Sequence, residues 1–351
     1  MSSRFAGRKI AFVTDPAFAD DRLFAEGSRD GSLEPYRLLR RRLTERGHVL
    51  HTADLYERSA DTPDLVICMD APAKPLDVLL PTTWTRAARW AILGEPEVTL
   101  PRNWQPEVQR QFERIFTWRR SLVDNERCFE LNSPNPIDTV GNHLPQPDRF
   151  CTLIAGNKHS SHPLELYSTR REIIRWFERH HPDRFDLYGV GWDALVLGGP
   201  KALRALNGLP LGIRRLIAPR FSSYRGRVEA KQAALRRYRF TICFENACGI
   251  DDYITEKLFD CLLAGTIPIY YGAPNITERV PADCFIEYRC FASHEALYRH
   301  LTSLSDSACD ELRTAGRDFL RSDLARPWST DRWVETLFDH INGAGSDSVP
   351  A

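Results

Sequence analysis

The residues best able to do chemistry together lie in Phe244-Glu-Asn-Ala-Cys-Gly-Ile-Asp-Asp-Tyr-Ile-Thr-Glu-Lys-Leu-Phe-Asp260. A strand running to Phe244 gives way to a polar, glycine-bearing loop and then to a helix that starts near Tyr253. Asp252 can cap that helix, Leu258, Phe259, Leu262 and Leu263 form its buried stripe, and Gly265 fits the position that ends it. Glu256 and Lys257 then fall in the first turn, beside unpaired backbone N–H groups and the positive end of the helix dipole. That is an anion site, and a lysine beside it suits a phosphate. The plain alternative is a capped surface helix carrying a solvated Glu–Lys pair.

Three blocks extend the pattern: Phe244-Glu-Asn246, Tyr253-Ile-Thr-Glu-Lys-Leu-Phe-Asp260 and Gly265-Thr-Ile-Pro-Ile-Tyr-Tyr-Gly-Ala-Pro-Asn275, followed by Val280-Pro-Ala-Asp-Cys-Phe-Ile286. Together they resemble the donor-binding signature of the α1,3/4-fucosyltransferases, glycosyltransferase family 10. Weaker similarity runs upstream through Ile115–Trp118, Leu164–Ser168 and Asp186–Gly189. The resemblance implies an α/β chain of the GT-B fold, two Rossmann-like domains facing a central cleft. It also implies inverting, metal-independent transfer of L-fucose from GDP-fucose to a hydroxyl of an acceptor glycan, in α1,3 or α1,4 linkage. The acceptor would be an oligosaccharide or a glycolipid, and no cofactor is needed. The alternatives are a GT-B transferase that uses another GDP-sugar and a catalytically silent nucleotide-sugar-binding protein.

By the same resemblance, Asn246, Tyr253 and Glu256 match donor-contacting positions, and Lys257 beside them is a candidate cation for the donor's phosphates. An arginine early in a helix, which the family uses on the donor pyrophosphate, matches Arg170 in Tyr167-Ser-Thr-Arg-Arg-Glu172, with Arg171 as the neighbouring choice. The general base, a glutamate just after a strand of the N-terminal domain, matches Glu95 in Trp90-Ala-Ile-Leu-Gly-Glu-Pro-Glu97, with Glu97 as the substitute. The residues themselves agree with a donor held without metal. No Asp-x-Asp occurs in the chain, so side-chain cations and helix termini are left to balance two phosphates.

These groups need a scaffold, and apolar runs alternating with helical patterns supply an α/β one. Strands are expected at 9–14, 49–52, 64–69, 90–93, 150–154, 185–188, 240–244, 266–271 and 284–288, and helices at 34–46, 169–179, 228–237, 253–264 and from 293. Weaker strand signals lie at 112–118 and 127–131. Asn132–Asp148 holds four prolines and reads as a linker. The division is therefore 1–145 as an acceptor-binding domain, 146–325 as a GDP-fucose-binding domain, and 326–351 as a helix, which could return to the first half, and a tail. A ligand would sit in the cleft between the halves. Pro268 conflicts with a central strand unless it sits at the strand's entry.

Length and charge fit this division. The chain has 351 residues, enough for two domains of roughly 100–200 residues each. Its 47 basic and 47 acidic side chains cancel, which gives no global reason to bind nucleic acid. Gly189-Val-Gly-Trp-Asp-Ala194 mimics a dinucleotide loop. Yet no acid follows from Ala194 through Val228, so the partner for a ribose is missing. That acid-free stretch carries Lys201, Arg204, Arg214, Arg215, Arg220, Arg225 and Arg227 among apolar residues. It reads as a solvated face, or as a surface for a phosphorylated acceptor or for peripheral contact with an anionic membrane. His159 with His162, and His180 with His181, lack partners at metal-ligand spacing. Nine scattered cysteines without a C-x-x-C pair, no apolar leader and no span of 18–20 apolar residues point to free thiols in a cytoplasmic protein.

Overall fold

A computed structural model describes residues 7–27, 31–141, 144–197 and 205–343. The chain divides into two compact units, one of residues 1–135 with 327–351, the other of 136–326.

The first unit is built on six parallel strands: β1 (Lys9–Val13), β2 (Val49–Thr52), β3 (Leu65–Met69), β4 (Ala88–Leu93), β5 (Arg114–Thr117) and β6 (Cys128–Glu130), in the order β2-β1-β3-β4-β5-β6. Alternate residues feed two cores. Ile10, Phe12, Ile67, Trp90 and Phe116 pack beneath helices Glu34–Glu45 and Thr330–Asn342. Ala11, Val66, Cys68, Ala91 and Ile115 face the other layer, with Tyr56, Leu76 and Trp84. Burial on both faces is why these strands read as unbroken apolar runs.

The second unit has five parallel strands: β7 (Arg149–Ile154), β8 (Phe185–Tyr188), β9 (Tyr238–Phe244), β10 (Ile267–Tyr271) and β11 (Ile286–Glu287), in the order β11-β10-β9-β7-β8. The strand order therefore reverses between β7 and β9. In open α/β sheets ligands bind outside the carboxyl ends of the strands at such a point. Pro268 is the second residue of β10. It lies opposite Thr241 of β9, one residue before pairing with β11 begins at Ile269, so it stands at the strand's entry.

Two expected boundaries move. The first unit ends at Asn135, not at residue 145, because the proline-rich segment is fastened to the second unit. Ile137 is buried, the Arg313 guanidinium donates to the carbonyls of Pro145 and Gly265, and Arg321 donates to that of Gly141. The 326–351 segment is not a separate piece either. Trp333, Val334, Leu337 and Ile341 enter the first unit's core, and Asn135 pairs with the Trp328–Thr330 backbone where the chain returns. An amphipathic helix turns its apolar stripe to a core, and this one finds it in the first unit.

That returning helix carries a titratable group into the core. His340 is 9% exposed, packed against Phe116 and Phe129, and its Nδ1 accepts a hydrogen bond from Arg114 at 2.8 Å. Burial, with Arg114 and Arg332 nearby, pushes its pKa down to about 4. An unfolded histidine takes its proton near pH 6.5, so between the two values the unfolded chain binds more protons. Stability is then fully present above about pH 6.5 and falls by about 3 kcal/mol as the pH drops to 4. The urea midpoint of His340→Gln should vary less over that window than the wild type's. Parallel curves for the two proteins would assign the acid sensitivity elsewhere.

Candidate functional site

The end of β9 gathers most of the groups marked by the sequence. Glu245, the first residue past the strand, is fully buried. Its carboxylate accepts from the Thr255 N–H at 2.8 Å, the Thr255 hydroxyl at 2.7 Å and the Lys257 ammonium at 3.2 Å. Gly272 leaves room for it, since a Cβ there would come within 2.6 Å of Glu245 Cγ. Glu245 was not singled out from the sequence. The signal was an acid directly after an apolar strand, where a buried charge must have a partner.

Helix Glu256–Ala264 starts three residues later than expected, and Thr255 caps it. Asp252 is not the cap. It takes a left-handed conformation, φ 63°, and its Oδ1 accepts from Asn275 at 3.2 Å and pairs with Arg279 at 3.6 Å. The shorter helix still places Glu256 and Lys257 in its first turn. Lys257 Nζ donates to Thr255 Oγ1 at 2.9 Å and Glu256 Oε1 at 3.3 Å besides Glu245. Burial works against its charge, but Glu245 and Glu256 outweigh that and raise its pKa. Burial likewise opposes ionisation of Glu256, while Lys257 and Lys231 hold its pKa down to about 2. Both are charged at neutral pH. Lys257 is 26% exposed and Glu256 46%, so both reach solvent from the helix terminus.

Arg170 reaches the same strand end from helix Tyr167–His180, which follows β7. Its Nη2 donates to the carbonyls of Phe244 and Glu245 and to Asn246 Oδ1 at 3.3 Å, while its Nε has no hydrogen-bond partner among the described residues. Arg171 turns away, to the Lys158 carbonyl and Ser168. Of the two, then, Arg170 joins the cluster. Its side chain is only 3% exposed. Tyr253 is 2% exposed and Asn246 9%, so they form the cluster's floor. Four charges meet here, two of each sign, directly at the β7/β9 reversal.

In the first unit, Glu95 follows β4 and is half-buried. Its turn is held on every side. Asp70, at the end of β3, accepts from the N–H groups of Gly94 (2.8 Å) and Glu95 (3.1 Å) and from Asn103 Nδ2 (2.7 Å). The Glu95 carbonyl accepts from Asn103 and Trp104, and that of Gly94 from Trp118. Asp70 also went unmarked in the sequence, since nothing in its spacing ties it to a residue 25 positions on. Glu97 is engaged differently. It pairs with Arg119 at 2.6 Å, whose guanidinium lies 3.7 Å over the Trp104 ring, and its Oε2 has no hydrogen-bond partner among the described residues.

The dinucleotide-like glycines have another explanation. A Cβ on Gly189 would fall 1.8 Å from the Ala155 carbonyl oxygen, so this glycine serves strand-end packing. The paired histidines are likewise occupied, His180 stacked on Trp176 and His181 on Tyr298. Lys201 and Arg204 lie outside the described residues.

Comparison with known proteins bears on the same region. Residues 220–311 match the model described as glycosyltransferase family 10 (fucosyltransferase) C-term. The α-(1,3)-fucosyltransferase B of Drosophila melanogaster is 40% identical over 233 residues, 62% of this chain and 46% of that protein. The α-(1,3)-fucosyltransferase FucT of Helicobacter pylori is 35% identical over 68 residues, 19% of this chain and 14% of its own length. The chain thus spans less than half the length of these curated relatives. Among solved structures, an α1,3-fucosyltransferase with GDP-fucose matches with a TM-score of 0.52 at 16% identity, covering 99% of this chain and 94% of that one. At such identity the likeness is one of fold: GT-B, two Rossmann-like units in one chain.

Proposed function

We propose that this chain is a member of glycosyltransferase family 10 and transfers L-fucose from GDP-fucose to a glycan hydroxyl with inversion and without a metal. The observation that carries the reading is the charged cluster at the β7/β9 reversal, where a helix N-terminus, Lys257 and Arg170 converge. A diphosphate there meets a lysine on its exposed side and an arginine beneath. Glu256, a carboxylate that only accepts hydrogen bonds when ionised, suits hydroxyls or ring N–H groups of the nucleotide and repels its phosphates. Asn246 and Tyr253 shape the floor.

In the reaction the acceptor oxygen bonds to C1 of fucose as the C1–O bond to the β-phosphate breaks. The electron pair leaves with GDP, and the acceptor proton passes to a carboxylate. Glu95 is that base in this reading, since its backbone is fixed by Asp70, Asn103 and Trp104 whereas Glu97 is committed to Arg119. The acceptor is an oligosaccharide or glycolipid, and the linkage α1,3 or α1,4. Nine unpaired thiols go with a reducing, cytoplasmic setting.

GDP should raise the thermal midpoint in the presence of EDTA, with a gain of about 2.7 kcal/mol at 100 times its Kd. GDP-fucose should be hydrolysed or transferred in the same buffer, ahead of other GDP-sugars. Activity abolished by EDTA and restored by Mn²⁺ would overturn the metal-free mechanism. GDP binding with no turnover of any GDP-sugar would make the chain a binding protein.

A further inference from the structure

Beyond the charged cluster, the second unit carries one surface whose chemistry the transferase reading leaves unused. After β8 the chain forms a short turn at Ala205–Gly208 and helix Leu211–Leu216. Leu206, Leu211, Ile213, Leu216 and Ile217 are all exposed, Leu216 by 84%. The helix is attached the wrong way round for a surface helix. Its arginines are tied to the segment before it: Arg214 Nε donates to the Leu195 carbonyl at 2.8 Å, and Arg215, itself still exposed, pairs with Asp193 at 2.8 Å. At about 100° per residue, Ile213, Leu216 and Ile217 fall on a stripe about 100° wide on the opposite side. An apolar stripe turned outward marks a surface that is covered in use.

The charge around the stripe says by what. From Leu206 to Val228 there are five arginines and no acidic residue. Arg214, Arg215 and Arg225 are engaged by the Leu195 carbonyl, Asp193 and Asp186, which leaves Arg220 and Arg227, both exposed after the helix, to meet an anion. Aliphatic side chains that can sink between headgroups, followed along the chain by exposed arginines at 220 and 227 that can meet phosphates, fit an anionic lipid surface. We propose that the 206–227 segment docks this protein on anionic membranes, independently of its reaction.

The test is flotation of the full chain with vesicles of phosphatidylcholine alone and with about one third phosphatidylglycerol. Binding is expected to the anionic vesicles only and to weaken with salt. Arg220→Gln and Arg227→Gln should each weaken it about fivefold. Leu216→Asp should abolish it while leaving the thermal midpoint and transfer to a soluble acceptor unchanged. The proposal is overturned if neither vesicle is bound, if both are bound equally, or if Leu216→Asp floats like the wild type. It is also overturned if light scattering finds a dimer that Leu216→Asp dissolves, since a second copy then covers the stripe.

Discussion

Glu95→Gln should bind GDP as the wild type does and transfer fucose roughly 100- to 10,000-fold more slowly, the range for loss of a general base. A sugar hydroxyl is a poor nucleophile at neutral pH, and the sugar gains positive charge as its bond to the diphosphate stretches. A carboxylate beside the hydroxyl takes the proton and stabilises that charge. Glutamine keeps the shape and loses both abilities. The Glu95 backbone is fixed by bonds from its own N–H and carbonyl, none of which the substitution touches, so the fold should survive. Glu97→Gln is the partner experiment. It weakens the contact to Arg119 and should cost stability more than turnover. If Glu97→Gln alone stops transfer, the base is two residues further on. If both variants turn over normally, the proton is taken elsewhere.

Lys257→Ala should lower kcat by about 100- to 1,000-fold, the loss typical when one stabiliser of developing charge is removed. Taken alone, this variant confounds two effects. Glu245 is fully buried and Lys257 is a cation on its carboxylate, and stripping a buried charge of its partner costs about 3–5 kcal/mol. The double variant Lys257→Ala/Glu245→Gln separates them. A neutral glutamine can still accept from the Thr255 N–H and donate to its hydroxyl, so the thermal midpoint should recover while turnover stays low. If turnover returns with stability, Lys257 serves the fold and the diphosphate is held by other groups. Arg170→Ala is a poorer probe than the sequence suggested, because it removes bonds to the Phe244 and Glu245 carbonyls inside the sheet edge.

Much of this was legible in the sequence because it is local. Strand and helix follow from side-chain period, and the apolar runs at 9–13, 65–69 and 238–244 each form a strand whose centre is buried. Gly265 ends its helix in the left-handed conformation that its position anticipated. The spacing of Glu256 and Lys257 fixed their place in a first turn whichever residue capped it, and the 244–275 blocks carried the resemblance to the fucosyltransferases. The tertiary structure decided what depends on partners far along the chain. Thr255, and not Asp252, caps the helix because Asn275 and Arg279 claim the Asp252 carboxylate. Arg170, and not Arg171, joins the site because a strand end 74 residues on presents its carbonyls there. Asp70 fixes the Glu95 turn across 25 residues, and the last helix belongs to the first unit because Trp333, Val334, Leu337 and Ile341 complete that unit's core. Side-chain period records which face a residue turns inward. It carries nothing about which other segment arrives to meet that face, and that meeting is what gives Glu245, Lys257 and Arg170 a common site.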